Sequence, residues 1–400
     1  MKTNKPKIDI IVKYFYPVAA GIETNIMETY SVLVKRGWRV TIHTSKDEYL
    51  TKNSLADREM IRGMSVRRYP FTSEFLGFMP DIDWQHTSVV ALHNFNVYFW
   101  KLLLYSLWLK ITNKKHFALI VTPHGGFNPE WSMYSFATKL IKIPYHYVLG
   151  TALINSVVDK VRAVSEWEKA ELIKKGVRRQ RIVVIANGIE NEAYMDVDSK
   201  ASVNMKNTVK KLGRYIIQVG RVYPIKNYET TIRALTRIPK DVKYVIVGQE
   251  EKSTEYKTSL IELASSLGLS NRVVFLGVVR GIDKYYLIKH AEMMVHMAIW
   301  ESFCNVVHEG LSQGLVCIVA DNTALPYLIR NNVNGYCVET RDSEALAEKI
   351  IFVLSHKNSA LIKDMQKRNA IYGLTDSWDH VANAMDSLYR ALVKNYDEHN

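Results

Sequence analysis

VGRVYPIKN, Val219–Asn227, joins the end of an apolar run to the start of a helical pattern. Tyr215–Val219 reads as a buried strand, and the helix it feeds runs to about Arg237. Gly220 lets the backbone turn tightly after the strand. Arg221 and Lys226 then project from one short loop, and Pro224 stiffens the chain between them. In open parallel sheets, ligands bind outside the carboxyl ends of the strands, which is where this loop falls. Two fixed cations in a dehydrated cleft neutralise a pyrophosphate, both at rest and as it departs. The plainer alternative is two solvated cations on a turn, the common fate of Arg and Lys.

Outward from this loop, strands and helices alternate. Tyr244–Val247, Val273–Leu276, Met293–His296, Val316–Ala320 and Tyr336–Val338 read as further strands, with helices between them. The first half alternates likewise, with strands at Ile8–Val12, Trp38–His43, Val89–Leu92, Leu119–Thr122, Val161–Val164 and Ile182–Ile185. A helix from about Ile22 to Lys35 closes on Gly37. Residues 192–211 are polar and without period, and read as a linker. The expected fold is therefore α/β: two doubly wound parallel-sheet domains, Rossmann-like, facing across a cleft. The first domain covers 1–200 and the second 205–375.

The composition agrees. The chain has 400 residues, 48% apolar and 23% charged, which excludes disordered, collagen-like and coiled-coil classes. Its net charge is +13. Residues 1–200 hold 28 basic and 19 acidic side chains, so +9 of the excess lies there. An anionic partner is implied. Three cysteines, Cys304, Cys317 and Cys337, lack metal-ligand or redox spacing, and a reducing compartment is expected. The opening residues read as a first strand rather than a signal peptide. The most apolar stretch, Val97–Ile111, is interrupted by Lys101 and is short of a membrane span.

A second motif, ESFCNVVHE, Glu301–Glu309, follows the strand Met293–His296. Ser302 is a candidate N-cap, which would leave helix amides for a phosphate. Glu309, about two turns in, suits a ribose diol, and Glu301 can reach sugar hydroxyls. A capped helix with two unrelated acids is the alternative.

The conjunction G-R-x-x-x-x-K-N, then E-x7-E, then Ser312-Gln313-Gly314 before an apolar strand, resembles the retaining glycosyltransferases of family four, which have the GT-B fold. The resemblance extends to PVAAGIE (Pro17–Glu23), TPHGG (Thr122–Gly126), Ser165-Glu166, VIANGIE (Val184–Glu190) and DSWDHVANAMDSLYRAL (Asp376–Leu392), so it spans nearly the whole chain. It implies an N-terminal acceptor domain onto which the last helix, 376–396, packs back, and a C-terminal nucleotide-sugar domain. It implies that Arg221 and Lys226 bind the donor diphosphate, Glu301 the sugar and Glu309 the ribose. Gly220 and Phe303, Cys304, Asn305 and Val306 would line the phosphates, and Gly21 would approach the donor. His124 would sit beside the transferred sugar, with His93, Asn94 and Asn187 as secondary acceptor-side candidates. The donor would be a nucleotide diphosphate sugar, UDP- or GDP-linked, with no essential cofactor and no metal.

Three positions depart from the family pattern: Ala20 and Cys304 stand where glycine is usual, and Pro326-Tyr327 where Pro-Glu is common. Asp81-Ile82-Asp83 and Asp196-Val197-Asp198 match a D-x-D metal pattern but read as solvated acids. The rival readings are a nucleotide-sugar epimerase of the same fold and a basic nucleic-acid-binding protein. No zinc-finger, zipper or RNA-binding signature favours the latter, so no specific nucleic acid is expected. The helix at 97–111 carries Tyr98, Phe99, Trp100, Tyr105 and Trp108 and is followed by lysines. It reads mainly as a core helix. Its outer face and basic end are candidates for an anionic membrane surface beside a glycan or lipid-linked acceptor. The expected location is cytoplasmic, peripheral on the inner membrane face.

Overall fold

A computed structural model of the chain describes residues 5–18, 21–46, 55–73, 75–250, 255–375 and 377–398. It falls into two compact units. The first comprises the described residues up to Gly188 and those from Trp378 onward; the second is Ile189–Ser377.

The first unit is built on β1 (Lys7–Ile11), β2 (Arg39–Ser45), β3 (Arg58–Ile61), β4 (Met64–Tyr69), β5 (Val89–His93), β6 (Ala118–Thr122), β7 (Lys160–Ala163) and β8 (Ile182–Val184). Their order across the sheet is β3-β4-β2-β1-β5-β6-β7-β8. All neighbours pair in parallel except β3 with β4. That hairpin escaped the sequence reading. Its turn is Arg62-Gly63, both at positive φ (48° and 81°), the backbone demanded by a two-residue hairpin loop. Arg is an unusual residue to supply the first of those angles.

The second unit is built on β9 (Tyr215–Val219), β10 (Lys243–Val247), β11 (Val273–Gly277), β12 (Met293–His296), β13 (Cys317–Ala320) and β14 (Gly335–Val338). Their order is β11-β10-β9-β12-β13-β14, all parallel. β9 is central and every one of its residues is buried, which is why its sequence runs apolar without alternation.

Each sheet has one place where the direction of winding reverses. In the first unit it lies between β1 and β5, and in the second between β9 and β12. The loops that leave those strands diverge to opposite faces and open a crevice at their carboxyl ends. Asn94, Arg221, Lys226 and Glu301 fall on these loops, while His124 follows β6, Asn187 follows β8 and Glu309 lies in the helix Asn305–Ser312.

The linker expectation fails. Within 192–211 the chain forms the 3-10 turn Asn191–Tyr194 and helices Val197–Lys200 and Val203–Leu212, the last capped by Ser202 through its bond from the Met205 amide. Ala193 and Val197 are buried with Tyr285 in a small cluster of the second unit. The unit boundary therefore lies at Gly188–Ile189 and not at residue 200. A polar exterior hid the few apolar side chains that anchor these short helices.

Helix Trp378–Asp397 joins the core of the first unit, where Trp378, Val381, Met385 and Tyr389 pack with Ile8, Ile10, Tyr30 and Trp38. No helix among the described residues is long and apolar enough to cross a membrane.

Candidate functional site

In the second unit the loops after β9 and β12 are tied together. Asn227 donates its side-chain amide to the Met297 carbonyl (2.8 Å), and the Ile299 amide donates to the Ile225 carbonyl (2.8 Å). Asn227 holds a left-handed backbone (φ 51°) that ends the 3-10 turn Pro224–Lys226. Two buried side chains pin the loop from below. Gln218 donates to the Lys226 carbonyl (2.9 Å) and is itself held by Tyr244 (2.6 Å). The Tyr228 hydroxyl approaches the carbonyls of Gly220 (2.9 Å) and Arg221 (3.2 Å). Gly220 and Gly248 come so close that a Cβ on Gly248 would stand 1.8 Å from the Gly220 oxygen.

This frame brings Lys226 and Glu301 into contact. Lys226 Nζ lies 2.5 Å from Glu301 Oε1, and His296 Nε2 lies 2.7 Å from the same oxygen. Burial alone would raise the Glu301 carboxyl. The Lys226 charge and the His296 hydrogen bond override it and hold the group down at about 2. An ionised Glu301 only accepts, so the proton of the neutral His296 sits on Nε2. His296 Nδ1 is left buried and without a partner. His296 was missed by the sequence reading; its only signal was its place as the last residue of β12.

His296, Glu301 and Cys304 are close enough together to suggest a metal site. The donor set argues otherwise. Burial pushes the Cys304 thiol well above its ordinary value, and an ammonium already occupies the shared carboxylate oxygen.

The helix that carries the rest of the motif starts later than expected. It spans Asn305–Ser312, with Cys304 and not Ser302 at the capping position, and the Cys304 side chain makes no capping bond. Cys304 adopts φ 75°, a left-handed backbone that favours glycine. That is the physical content of the family's usual glycine here, and the strain on a residue with a Cβ is on the order of 1–2 kcal/mol. The amino end of a helix carries the positive end of its dipole and favours an anion. Phe303, Asn305 and Val306 flank it. Arg221 lies over the Tyr223 ring at 5.8 Å, in the same loop as Gly220.

Glu309 forms a second cluster. Its Oε1 meets Lys284 Nζ (3.0 Å), which also meets Glu190 Oε2 (2.8 Å). Glu309 Oε2 is buried with no partner among the described residues. Burial raises its carboxyl against the opposing pull of Lys284. Lys284 and Glu190 were not anticipated; each looks like a solvated surface charge until the fold joins them.

In the first unit, His124 and Asn94 both hold positive φ (51° and 65°), and a Cβ on Gly126 would stand 2.6 Å from Asn94 Oδ1. The two loops after β5 and β6 therefore interlock. The Gly125 amide donates to Glu168 (2.5 Å), whose carboxyl burial raises to about 7. His124 bonds to His93 (2.9 Å). His93 is wholly buried, so it reaches a ligand only through His124. Asn187 is buried too. It accepts from Asn25 (2.7 Å) and faces the guanidinium of the fully buried Arg162. Gly21 opens helix Gly21–Lys35, while Ala20 lies outside the described residues.

The D-x-D acids are engaged elsewhere. Asp81 pairs with Arg67 and Asp83 with His86, while Asp196 caps helix Val197–Lys200 and Asp198 pairs with Lys289 and His290.

Two α/β units on almost wholly parallel sheets are the architecture of the GT-B glycosyltransferases. The chain matches the model of Glycosyltransferase Family 4 over residues 19–193 and that of Glycosyl transferases group 1 over residues 201–371, and it belongs to this glycosyltransferase family. Among curated proteins it is 28% identical over 219 residues to an uncharacterized glycosyltransferase of Methanocaldococcus jannaschii, covering 54% of this chain and 55% of the relative. It is 25% identical over 252 residues to the D-inositol 3-phosphate glycosyltransferase of Mycobacterium tuberculosis, covering 62% and 52%. The chain thus spans about half the length of the curated relatives it matches. Among solved structures, sucrose-phosphate synthase from Thermosynechococcus elongatus superposes with a TM-score of 0.75 at 18% identity, over 98% of this chain and all of that one. Anabaena HepE, solved with UDP and glucose, superposes at 0.72 and 17% identity, over 96% of this chain and all of that one. At such identities the likeness is one of fold.

Proposed function

We propose that the chain transfers a glycosyl group from a UDP- or GDP-sugar to a hydroxyl acceptor with retention of configuration. The observation that carries this is the Lys226–Glu301–His296 cluster at the carboxyl ends of β9 and β12. Arg221 and Lys226 would meet the donor diphosphate, beside the positive amino end of helix Asn305–Ser312. Glu301, kept ionised, would accept from sugar hydroxyls. The unpaired Oε2 of Glu309 is a buried acceptor suited to a ribose hydroxyl. The bond from the anomeric carbon to the phosphate oxygen breaks as the acceptor oxygen attacks from the same face. The departing phosphate oxygen takes the acceptor's proton, and the positive charge of Arg221 and Lys226 stabilises that oxygen. No protein nucleophile is needed on this route, and His124 would hold a sugar hydroxyl.

The first test is a panel of nucleotide sugars scored by thermal stabilisation and by donor hydrolysis. With the donor so found, Lys226→Ala should lower kcat on the order of 100- to 1,000-fold, as removal of one preorganised charge-stabilising contact does elsewhere. Activity near that of the parent would sink the assignment.

The acceptor reading is a lipid-linked or growing surface glycan, met at an anionic membrane face. Between Trp84 and Val158 the chain has six lysines and one acid, Glu130. The same segment presents its exposed apolar side chains on helix Phe136–Pro144 and the π-helical turn Tyr145–Leu149, where Phe136 is 77%, Leu140 61% and Val148 70% exposed. Apolar side chains beside lysines are the composition of an interfacial helix. The helix Trp100–Ile111 contributes less: Leu102, Leu103 and Leu109 are core, leaving Leu104, Tyr105, Trp108 and Ile111 outward.

A further inference from the structure

A chain of four buried side chains runs from the last helix to His124. Tyr389 and Tyr30 share a hydrogen bond between their hydroxyls (2.6 Å). The Tyr30 hydroxyl lies 2.9 Å from His93 Nε2, and His93 Nδ1 lies 2.9 Å from His124 Nε2. Tyr30, His93 and Tyr389 are wholly buried, and His124 is 8% exposed.

Such a chain has two polarities, and counting donors decides between them. If His124 donated to His93, the donation would pass through Tyr30 and end on a Tyr389 O–H with no acceptor among the described residues. A buried hydroxyl left without an acceptor costs about 1–3 kcal/mol. In the opposite polarity every donor is used. Tyr389 donates to Tyr30, Tyr30 to His93 Nε2, and His93 Nδ1–H to His124 Nε2. The proton of His124 must then sit on Nδ1. That atom makes no hydrogen bond among the described residues, yet it is not one of the buried unpaired atoms, so it faces solvent. Burial, with the Arg162 guanidinium nearby, keeps both imidazoles neutral, His93 at about 3.

We infer that Tyr30 and His93 are positioning residues that lock His124 as the Nδ1–H tautomer, so that it presents a single outward donor, while Tyr389 only backs Tyr30. The left-handed backbone of His124 (φ 51°) holds the ring at the end of this chain. The functional meaning rests on the proposed contact of His124 with a sugar hydroxyl: an Nδ1–H meets an acceptor lone pair and cannot serve as a general base.

The test is long-range 1H–15N correlation spectroscopy of the full chain with 15N-labelled histidine, between pH 6 and 8. His124 is expected as the neutral Nδ1–H form with no titration across that range. Tyr30→Phe should convert it to a mixture of tautomers, because His93 Nε2 loses its only donor. Tyr389→Phe should leave it unchanged, because Tyr30 then retains His93 as its only acceptor. An Nε2–H tautomer or an imidazolium at His124 in the parent protein overturns the lock without recourse to any variant. So does an unaltered spectrum in Tyr30→Phe. The Nδ1–H form in a protein that turns over no nucleotide sugar would support the lock and remove the transferase reading instead.

Discussion

Glu301 and Glu168 show how one residue type takes opposite characters in the two units. Glu301 has Lys226 and His296 on one oxygen and is held at about 2, while Glu168 faces mainly backbone amides and is raised to about 7. A carboxyl lowered on folding stabilises above its unfolded value and loses that contribution as the pH falls through the folded one. For Glu301 the window runs from about 4.3, the ordinary value, to about 2. The contribution is on the order of 3 kcal/mol. Glu168 works the other way: its contribution is present below the ordinary value and lost as pH rises toward about 7. Acid titration of the melting temperature should therefore fall steeply below pH 4 in the parent protein and less steeply in Glu301→Gln. Equal slopes would mean that the Lys226–Glu301 pair contributes no stability. Arg221, Lys226, Glu301 and Glu309 were legible in the sequence because their spacing repeats a motif. His296, Lys284 and Gln218 were not, since a histidine at a strand end, a lysine in a helix and a glutamine in a strand carry no signal until neighbours from distant segments meet them.

At the scale of elements, the strands of the second unit were legible because a central parallel strand is apolar along its whole length. The hairpin of β3 and β4 was not, because its alternating residues are half polar and its turn uses Arg62. The apolar helix at 97–111 drew attention for its aromatic content, yet composition alone does not tell which face is covered. The fold buries Leu102 and Leu103 there and leaves Leu140 and Ile141 exposed on the following helix, among lysines. Leu140→Glu with Ile141→Glu should reduce flotation with anionic vesicles by at least about tenfold, since each exchanges buried apolar area for a charge facing anionic lipid. The melting temperature should hardly move, because neither side chain packs in the core. Retained flotation would place the contact elsewhere, and self-association lost in the double variant would make the face an interface between copies of the chain.

At the scale of the molecule, the first unit is closed by a segment that begins at Trp378, long after its last strand ends at Val184. Gly188 and Trp378 mark the two passages of the chain between units, and both belong to the first. A Cβ on Gly188 would stand 2.7 Å from the Trp378 amide nitrogen and 2.8 Å from its Cα, so only glycine lets the returning helix start there. Gly188→Ala should cost on the order of 1–3 kcal/mol, read as a lower melting temperature of the transition followed by tryptophan fluorescence. An unchanged transition would show that the contact is slack. The amino-acid sequence by itself determined the class of fold and the cationic and acidic members of the candidate site, because strand burial and motif spacing are local properties. Tertiary structure alone decided where the units divide, which histidine carries which proton and which apolar face is left uncovered. Each of those depends on what lies across from a side chain, and the groups that answer, Tyr30 for His93 and Lys226 for Glu301, are far away in the chain.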